Sequence, residues 1–311
     1  MTTALFTHPD CLDHINPPGH PEQVARLKAI DAALAAPGFA TLDRREAPLG
    51  DEADIRRAHP KVHLDRIRAS APAEGLTQID PDTSMSPGSL TAAYRAVGGA
   101  VAAVDAVLTG EAGNAFVACR PPGHHAERAR PMGFCLFSNA AIAALHALDV
   151  QGLDRVAVLD FDVHHGNGTQ DVLWNESRAR FASSHQMPLY PGTGGAHEKG
   201  AYEQILNVPL SEGSGGERMR AEWEGSILPW ISEFRPELIV VSAGFDAHAR
   251  DPLAGLHWQT EDFGWLTHRI CDLADDVCDG RVVSTLEGGY DLEALAESVA
   301  LHVEILMERG K

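Results

Sequence analysis

Four apolar residues, Val156-Ala157-Val158-Leu159, run without a break into Asp160-Phe161-Asp162-Val163-His164-His165-Gly166-Asn167-Gly168. A run that is apolar at every position suits a strand covered on both faces, as in a parallel sheet flanked by helices. Acids and imidazoles at its end then sit where open α/β sheets hold ligands, beyond the carboxyl ends of the strands. The plainer explanation is a turn whose acids cap the next helix and whose imidazoles are solvated. On extended backbone, however, Asp160, Asp162 and His164 project to one side under the two-residue period. A carboxylate and an imidazole together are donors that zinc or another divalent transition metal accepts.

Comparable apolar runs occur at 115–118, 206–208, 238–241 and 282–286. Helical patterns lie between them, at 89–108, 263–277 and 292–307, with another helix starting near Arg218. The segment 48–90 holds Pro60, Pro72, Pro81 and Pro87 and reads either as a linker or as short helical pieces, 55–58 and 62–69, packed through loops. No internal repeat stands out, and one domain over residues 1–311 is the preferred reading. An excess of acids gives a net charge of −19, which disfavours nonspecific attraction to nucleic acid or an anionic membrane. No stretch is expected to reach the roughly 20 apolar residues that span a bilayer. Five widely spaced cysteines do not resemble a disulfide scaffold, and a soluble, cytoplasmic protein is the expectation.

Three further clusters share the strand-end placement. Asp246 follows the run 238–241 and Gly244, and would add a third ligand to Asp162 and His164, leaving a coordination position open for water. His248 is the rival ligand, although a surface loop histidine is the commoner case. Arg120-Pro121-Pro122-Gly123-His124-His125 places paired imidazoles after a stiff turn; near an open metal triad they suit acid–base duty, and alone they would be structural or a second metal site. Leu286-Glu287-Gly288-Gly289-Tyr290 can present a phenol from a tight loop as an oxyanion donor, where a core tyrosine is the alternative.

Together these segments resemble the histone deacetylase superfamily, in its class II-like bacterial amidohydrolase branch. The likeness runs from His8-Pro9-Asp10-Cys11 and Pro18-Gly19-His20-Pro21-Glu22 through RPPGHH, Gly133-Phe134-Cys135 and DFDVHHGNGT. It continues through the PGTG at 191–194, SAGFDAH, Asp251-Pro252-Leu253 and EGGY. The resemblance implies an arginase/deacetylase-type three-layer α/β fold with a central, mostly parallel eight-stranded sheet. It implies one catalytic Zn²⁺ held by Asp162, His164 and Asp246, with His124 and His125 as tandem catalytic histidines and Tyr290 as the oxyanion donor. Asp160 matches the acid that supports the first histidine, and Asn167 the partner of the second, where class I relatives carry aspartate. A structural K⁺ is implied at Asp160, Asp162, His164, Ser183 and the carbonyl of Ser184, the last standing where many relatives carry an apolar residue.

By the same likeness, Phe134 and Tyr190 wall a substrate tunnel, with the Gly133 carbonyl along it and Leu253 at its rim. Polyamine-selective relatives carry glutamate at that rim position. The implied reaction is zinc-dependent removal of acetyl or another short acyl group from lysine side chains of a peptide or protein. Acetylpolyamines or other small amides are the alternative substrates; an arginase-like ureohydrolase and a non-catalytic acyl-binding metalloprotein are the other classes. Assembly with further copies of the chain stays open. Cys135 is read as a buried apolar cysteine, with lining an internal cavity as the alternative, His20 and His63 as structural or surface rather than ligands, His185 as a support of the cation loop or a satisfied buried histidine, and Glu127, Arg128 and Arg130 as a mobile rim without a nameable partner.

Overall fold

The computed structural model describes residues 2–310. Its strands, numbered in chain order, are β1 (Thr3–Thr7), β2 (Asp43–Glu46), β3 (Thr77–Asp80), β4 (Thr83–Met85), β5 (Asn114–Val117), β6 (Val156–Asp160), β7 (Ala179–Gln186), β8 (Ile205–Leu210), β9 (Leu238–Ala243) and β10 (Val282–Leu286). Eight of them form one sheet in the order β2-β1-β5-β10-β9-β6-β7-β8, and every pair in it is parallel. β3 and β4 form a separate antiparallel hairpin. With helices over the sheet, this is the three-layer α/β architecture of the arginase/deacetylase type.

The order of the strands builds the site. β5, β10, β9 and β6 are adjacent, and all five residues of β6 and of β10 are buried, as are all six of β9. Because these strands are parallel, their carboxyl ends emerge side by side. The RPPGHH, EGGY, SAGFDAH and DFDVHH segments therefore leave the sheet next to one another, although up to about 170 residues of chain separate them.

The helix Ser89–Leu108 has the bounds its periodicity gave. It is also, contrary to the sequence expectation, long and apolar enough to cross a membrane by length and composition. Its apolarity serves packing. A Cβ on Gly98 would meet the Pro48 carbonyl oxygen at 2.1 Å, and one on Gly99 would meet Val117 at 3.0 Å, so the helix lies tight against the 48–50 segment and β5. The linker reading of 48–90 does not hold. Helices Glu52–Ala58 and Lys61–Ser70 bury Ile55, Leu64 and Ile67, and the hairpin buries Met85.

Candidate metal centre and active site

Beyond β6 the alternation continues past the strand's end: Phe161 and Val163 enter the core, while Asp162 and His164 turn to meet Asp246 from the end of β9. One ligand atom from each of these three lies within 4.8 Å of the others, and all three residues are buried. His164 Nδ1 stands 3.1 Å from both Asp162 Oδ1 and Asp246 Oδ2. The backbone aims the carboxylates: the Gly288 N–H donates to Asp162 Oδ2 (2.8 Å), the His164 N–H to Asp162 Oδ1 (2.9 Å) and the Val163 N–H to Asp246 Oδ1 (2.9 Å).

Glycines make the cradle. A Cβ at Gly244 would sit 2.0 Å from Asp162 Oδ2, and one at Gly288 would sit 2.2 Å from Asp246 Oδ2. Two buried carboxylates and an imidazole converging in so small a space fit a divalent cation, which removes the cost of burying like charges together. Burial and the charge of Asp162 raise the Asp246 carboxyl above its usual range.

The tandem histidines lie beside the cluster. His124 Nδ1 donates to Asp160 Oδ2 (3.0 Å) and His125 Nδ1 to Asn167 Oδ1 (2.7 Å). Their environments drive them apart. Burial disfavours charge on His124, but the carboxylates of Asp162 and Asp160 outweigh it and hold its pKa well above the usual imidazole value. Burial, helped by the charges of His124 and His164, holds His125 well below that value. A neutral imidazole whose Nδ1 proton is engaged offers Nε2 as a proton acceptor. Asp160 is raised by burial to about 6, with His124 pulling the other way.

Glu287 lies wholly buried behind these histidines and accepts from the N–H of Gly123 (2.6 Å) and of His124 (3.1 Å). Burial pushes its carboxyl up to about 7 against the pull of His124. Arg26 clamps the EGGY loop, donating from Nε to the Gly289 carbonyl (2.6 Å) and from Nη2 to that of Glu287, and its guanidinium lies 5.0 Å from the centre of the Tyr290 ring. Arg26 and Arg120 share the buried carboxylate of Glu22. Asp251 accepts from the Tyr290 N–H (2.7 Å) and the Leu253 N–H (3.0 Å), tying the tyrosine loop to the rim. Burial, with Asp246 and Asp162 near, keeps the Tyr290 phenol protonated well beyond its usual range.

A cavity of about 210 Å³ opens over the cluster and is lined by Asp82, His125, Gly133, Phe134, His164, Leu189, Tyr190, Leu253 and Tyr290. All four expected tunnel residues are among them. Tyr190 meets the His125 ring edge-on at 5.1 Å and Phe134 meets Tyr290 at 5.9 Å. Gly133 and Phe134 both have positive φ, and Asp82 and Thr83 hold that turn by accepting from their N–H groups.

Ser183 is the register partner of Asp160, and its hydroxyl lies 2.9 Å from Nδ1 of His185, a buried histidine whose Nε2 lies 3.0 Å from the Gly194 carbonyl oxygen. The Ser184 hydroxyl accepts from Trp223 Nε1 (3.0 Å). His248 stands outside the metal cluster; it is buried, stacks on Phe263, and its Nδ1 accepts from the Arg250 N–H. Cys135 is a buried thiol raised well above its usual range, first by burial. Sequence reasoning passed over Arg26, Asp82 and the tethering role of Asp251. It left Glu127 without a partner, which the structure supplies: Asn167 Nδ2 donates to Glu127 Oε1 (2.8 Å).

A three-residue metal cradle beneath a cavity, flanked by two imidazoles whose Nδ1 atoms are held by Asp160 and Asn167, fits a hydrolase-type metal centre on an α/β sheet. Residues 20–306 match the histone deacetylase domain. The chain is 40% identical over 310 residues to a histone deacetylase-like amidohydrolase of Pseudomonas aeruginosa, covering 93% of this chain and 81% of that one. It is 38% identical over 299 residues to a probable deacetylase of Archaeoglobus fulgidus, covering 94% and 82%. The crystal structure of the HDA15 HD domain superposes with a TM-score of 0.94 at 32% identity, over 99% of this chain and 88% of that one. The chain belongs to the histone deacetylase family.

Proposed function

We propose that the protein is a zinc-dependent deacetylase of the class II-like type that hydrolyses the side-chain amide of acyl-lysine in a peptide or protein. The carrying observation is that His125, with its Nδ1 proton on Asn167, shares one cavity with His164 of the metal cluster and with Tyr290. Zn²⁺ bound by Asp162, His164 and Asp246 would polarise the amide carbonyl and acidify water.

The residues of the chain do the rest. The His125 Nε2 lone pair takes a proton from the attacking water and later returns it to the leaving amine. His124, its Nδ1 held by Asp160, assists electrostatically beside the developing oxyanion. Tyr290, held protonated, donates its O–H to that oxyanion, a contribution of about 3–4 kcal/mol if it acts as a single oxyanion donor does. Phe134 and Tyr190 exclude water along an apolar stem, and Leu253 closes the rim without charge. A K⁺ near Asp160 and Ser183, and the class II-like assignment through Asn167, belong to the same proposal.

Asp82, the one carboxylate among the residues lining the cavity, favours a second reading, since it could attract the distal ammonium of an acetylpolyamine. Comparing kcat/KM for an acetyl-lysine peptide with acetylputrescine and acetylspermidine separates the two. The peptide should be preferred; a polyamine advantage above about tenfold, or 1.4 kcal/mol, would replace the first reading with the second.

A further inference from the structure

The amide of Asn167 poses a problem that a carboxylate in its place would not. Aspartate presents two equivalent acceptor oxygens to a histidine, so either rotamer serves. Asparagine has one acceptor end and one donor end, and a half-turn about its last torsion exchanges them. With the oxygen toward His125, the imidazole keeps its proton on Nδ1 and Nε2 is free to accept. With the NH₂ toward it, Nδ1 must be the acceptor and the proton moves to Nε2, where the ring can no longer take one from water. What the far end of the amide meets therefore decides whether His125 works.

That far end meets only acceptors. The atom 2.8 Å from Glu127 Oε1 is the nitrogen, which donates to that carboxylate oxygen and faces the Met132 thioether acceptor 3.4 Å away. The backbone builds this contact with care. Glu127 and Arg130 pair across a tight reversal (N–H to carbonyl 3.0 and 3.4 Å) that sets Glu127 against Asn167. The N–H groups of Gly168 and Thr169 donate to the His124 carbonyl (2.9 and 3.1 Å), registering the helix Asn167–Leu173 on the histidine segment. Gly168 allows it, since a Cβ there would lie 2.4–2.6 Å from the Ala126 backbone.

We propose that Glu127 is a positioning residue: by taking the NH₂ of Asn167 it turns Oδ1 to His125 and so fixes the tautomer that leaves Nε2 as the proton acceptor. The statement rests on the reading of His125 as that acceptor. The relay His125–Asn167–Glu127 also returns to the second histidine, at one remove, the negative charge that asparagine lacks.

The test is a double-mutant cycle read by two methods. In ¹⁵N-histidine-labelled protein, NMR should show His125 as a single Nδ1–H tautomer, its signals assigned by their loss in His125→Ala. Glu127→Gln, whose amide can present either end, should add the Nε2–H form and lower kcat about tenfold, the low end for outer partners of a catalytic group, with KM unchanged. In an Asn167→Asp background the sign reverses. The aspartate needs no donor-side partner and is repelled by Glu127, so Glu127→Gln should raise activity there. An unchanged His125 tautomer in Glu127→Gln, or the same loss in both backgrounds, would overturn the proposal. If the unaltered protein hydrolyses no acyl amide, the functional reading fails, and the tautomer measurement still judges the role of Glu127.

Discussion

Replacing Gly288 with alanine tests the metal cradle through a single methyl group. The new Cβ would lie 2.2 Å from Asp246 Oδ2 and 2.6 Å from Asp162 Oδ2, where ordinary contact begins at 3.4 Å. To clear it, the Asp246 oxygen must retreat about 1.2 Å and the Asp162 oxygen about 0.8 Å, several times the ~0.2 Å within which metal–ligand distances are set. Gly288 is not among the positive-φ glycines, so alanine suits its backbone and the effect comes from space alone. Changes to the outer partners of a metal site cost roughly 10–100-fold in affinity, and this one displaces two ligands, so zinc should bind at least about 100-fold more weakly. Competition against a zinc-sensitive dye measures it, with circular dichroism of chelator-treated protein as the control for folding. A folded variant binding zinc within about threefold of the unaltered protein, a difference under 1 kcal/mol, would show that Asp162 and Asp246 do not hold the ion together.

Four other changes probe separate parts of the site. Tyr290→Phe should lower kcat about 10²–10³-fold while zinc content, read by elemental analysis, stays at the level of the unaltered protein. Glu287→Gln should flatten the pH dependence of stability. The buried carboxyl titrates near 7 in the folded protein against an ordinary 4.5, so its contribution is present below 4.5 and is lost as pH rises through 7. Urea unfolding of chelator-treated protein at pH 5 and pH 8 should show the variant gaining on the order of 3 kcal/mol relative to the unaltered chain between the two; parallel curves would contradict the assignment. His248→Ala should leave zinc affinity unchanged, whereas Asp246→Ala should abolish it, and the dye competition distinguishes these directly.

The strands that carry the site were legible because burial on both faces writes a continuous apolar run: β6, β9 and β10 are buried at every position. The same logic hides β7. Its Ser183, Ser184 and His185 are buried but bonded to partners elsewhere in the fold, so the strand carries no apolar signature. β2 is Asp-Arg-Arg-Glu at the sheet's edge, half-buried and half-exposed in alternation. The helix Asn139–Asp149 escaped because it is buried on all sides for ten residues and so has no polar stripe to set its period.

Within the site, the ligands and both histidine partners lie in segments whose residue types announce chemistry. Arg26, by contrast, sits in an ordinary helix, and its partners in the EGGY loop are more than 260 residues away. Glu127 stood next to the histidines in the sequence, yet only folding brings Asn167 to it. Spacing along the chain carries no trace of such a contact.

Acetate release from an acetyl-lysine peptide by chelator-stripped protein, followed as Zn²⁺ is titrated in, tests the central claim most directly. Activity should be absent without metal, rise with added zinc and level off at one ion per chain. Release that persists in excess chelator, that plateaus at two ions per chain, or that never appears would contradict a single-zinc amidohydrolase.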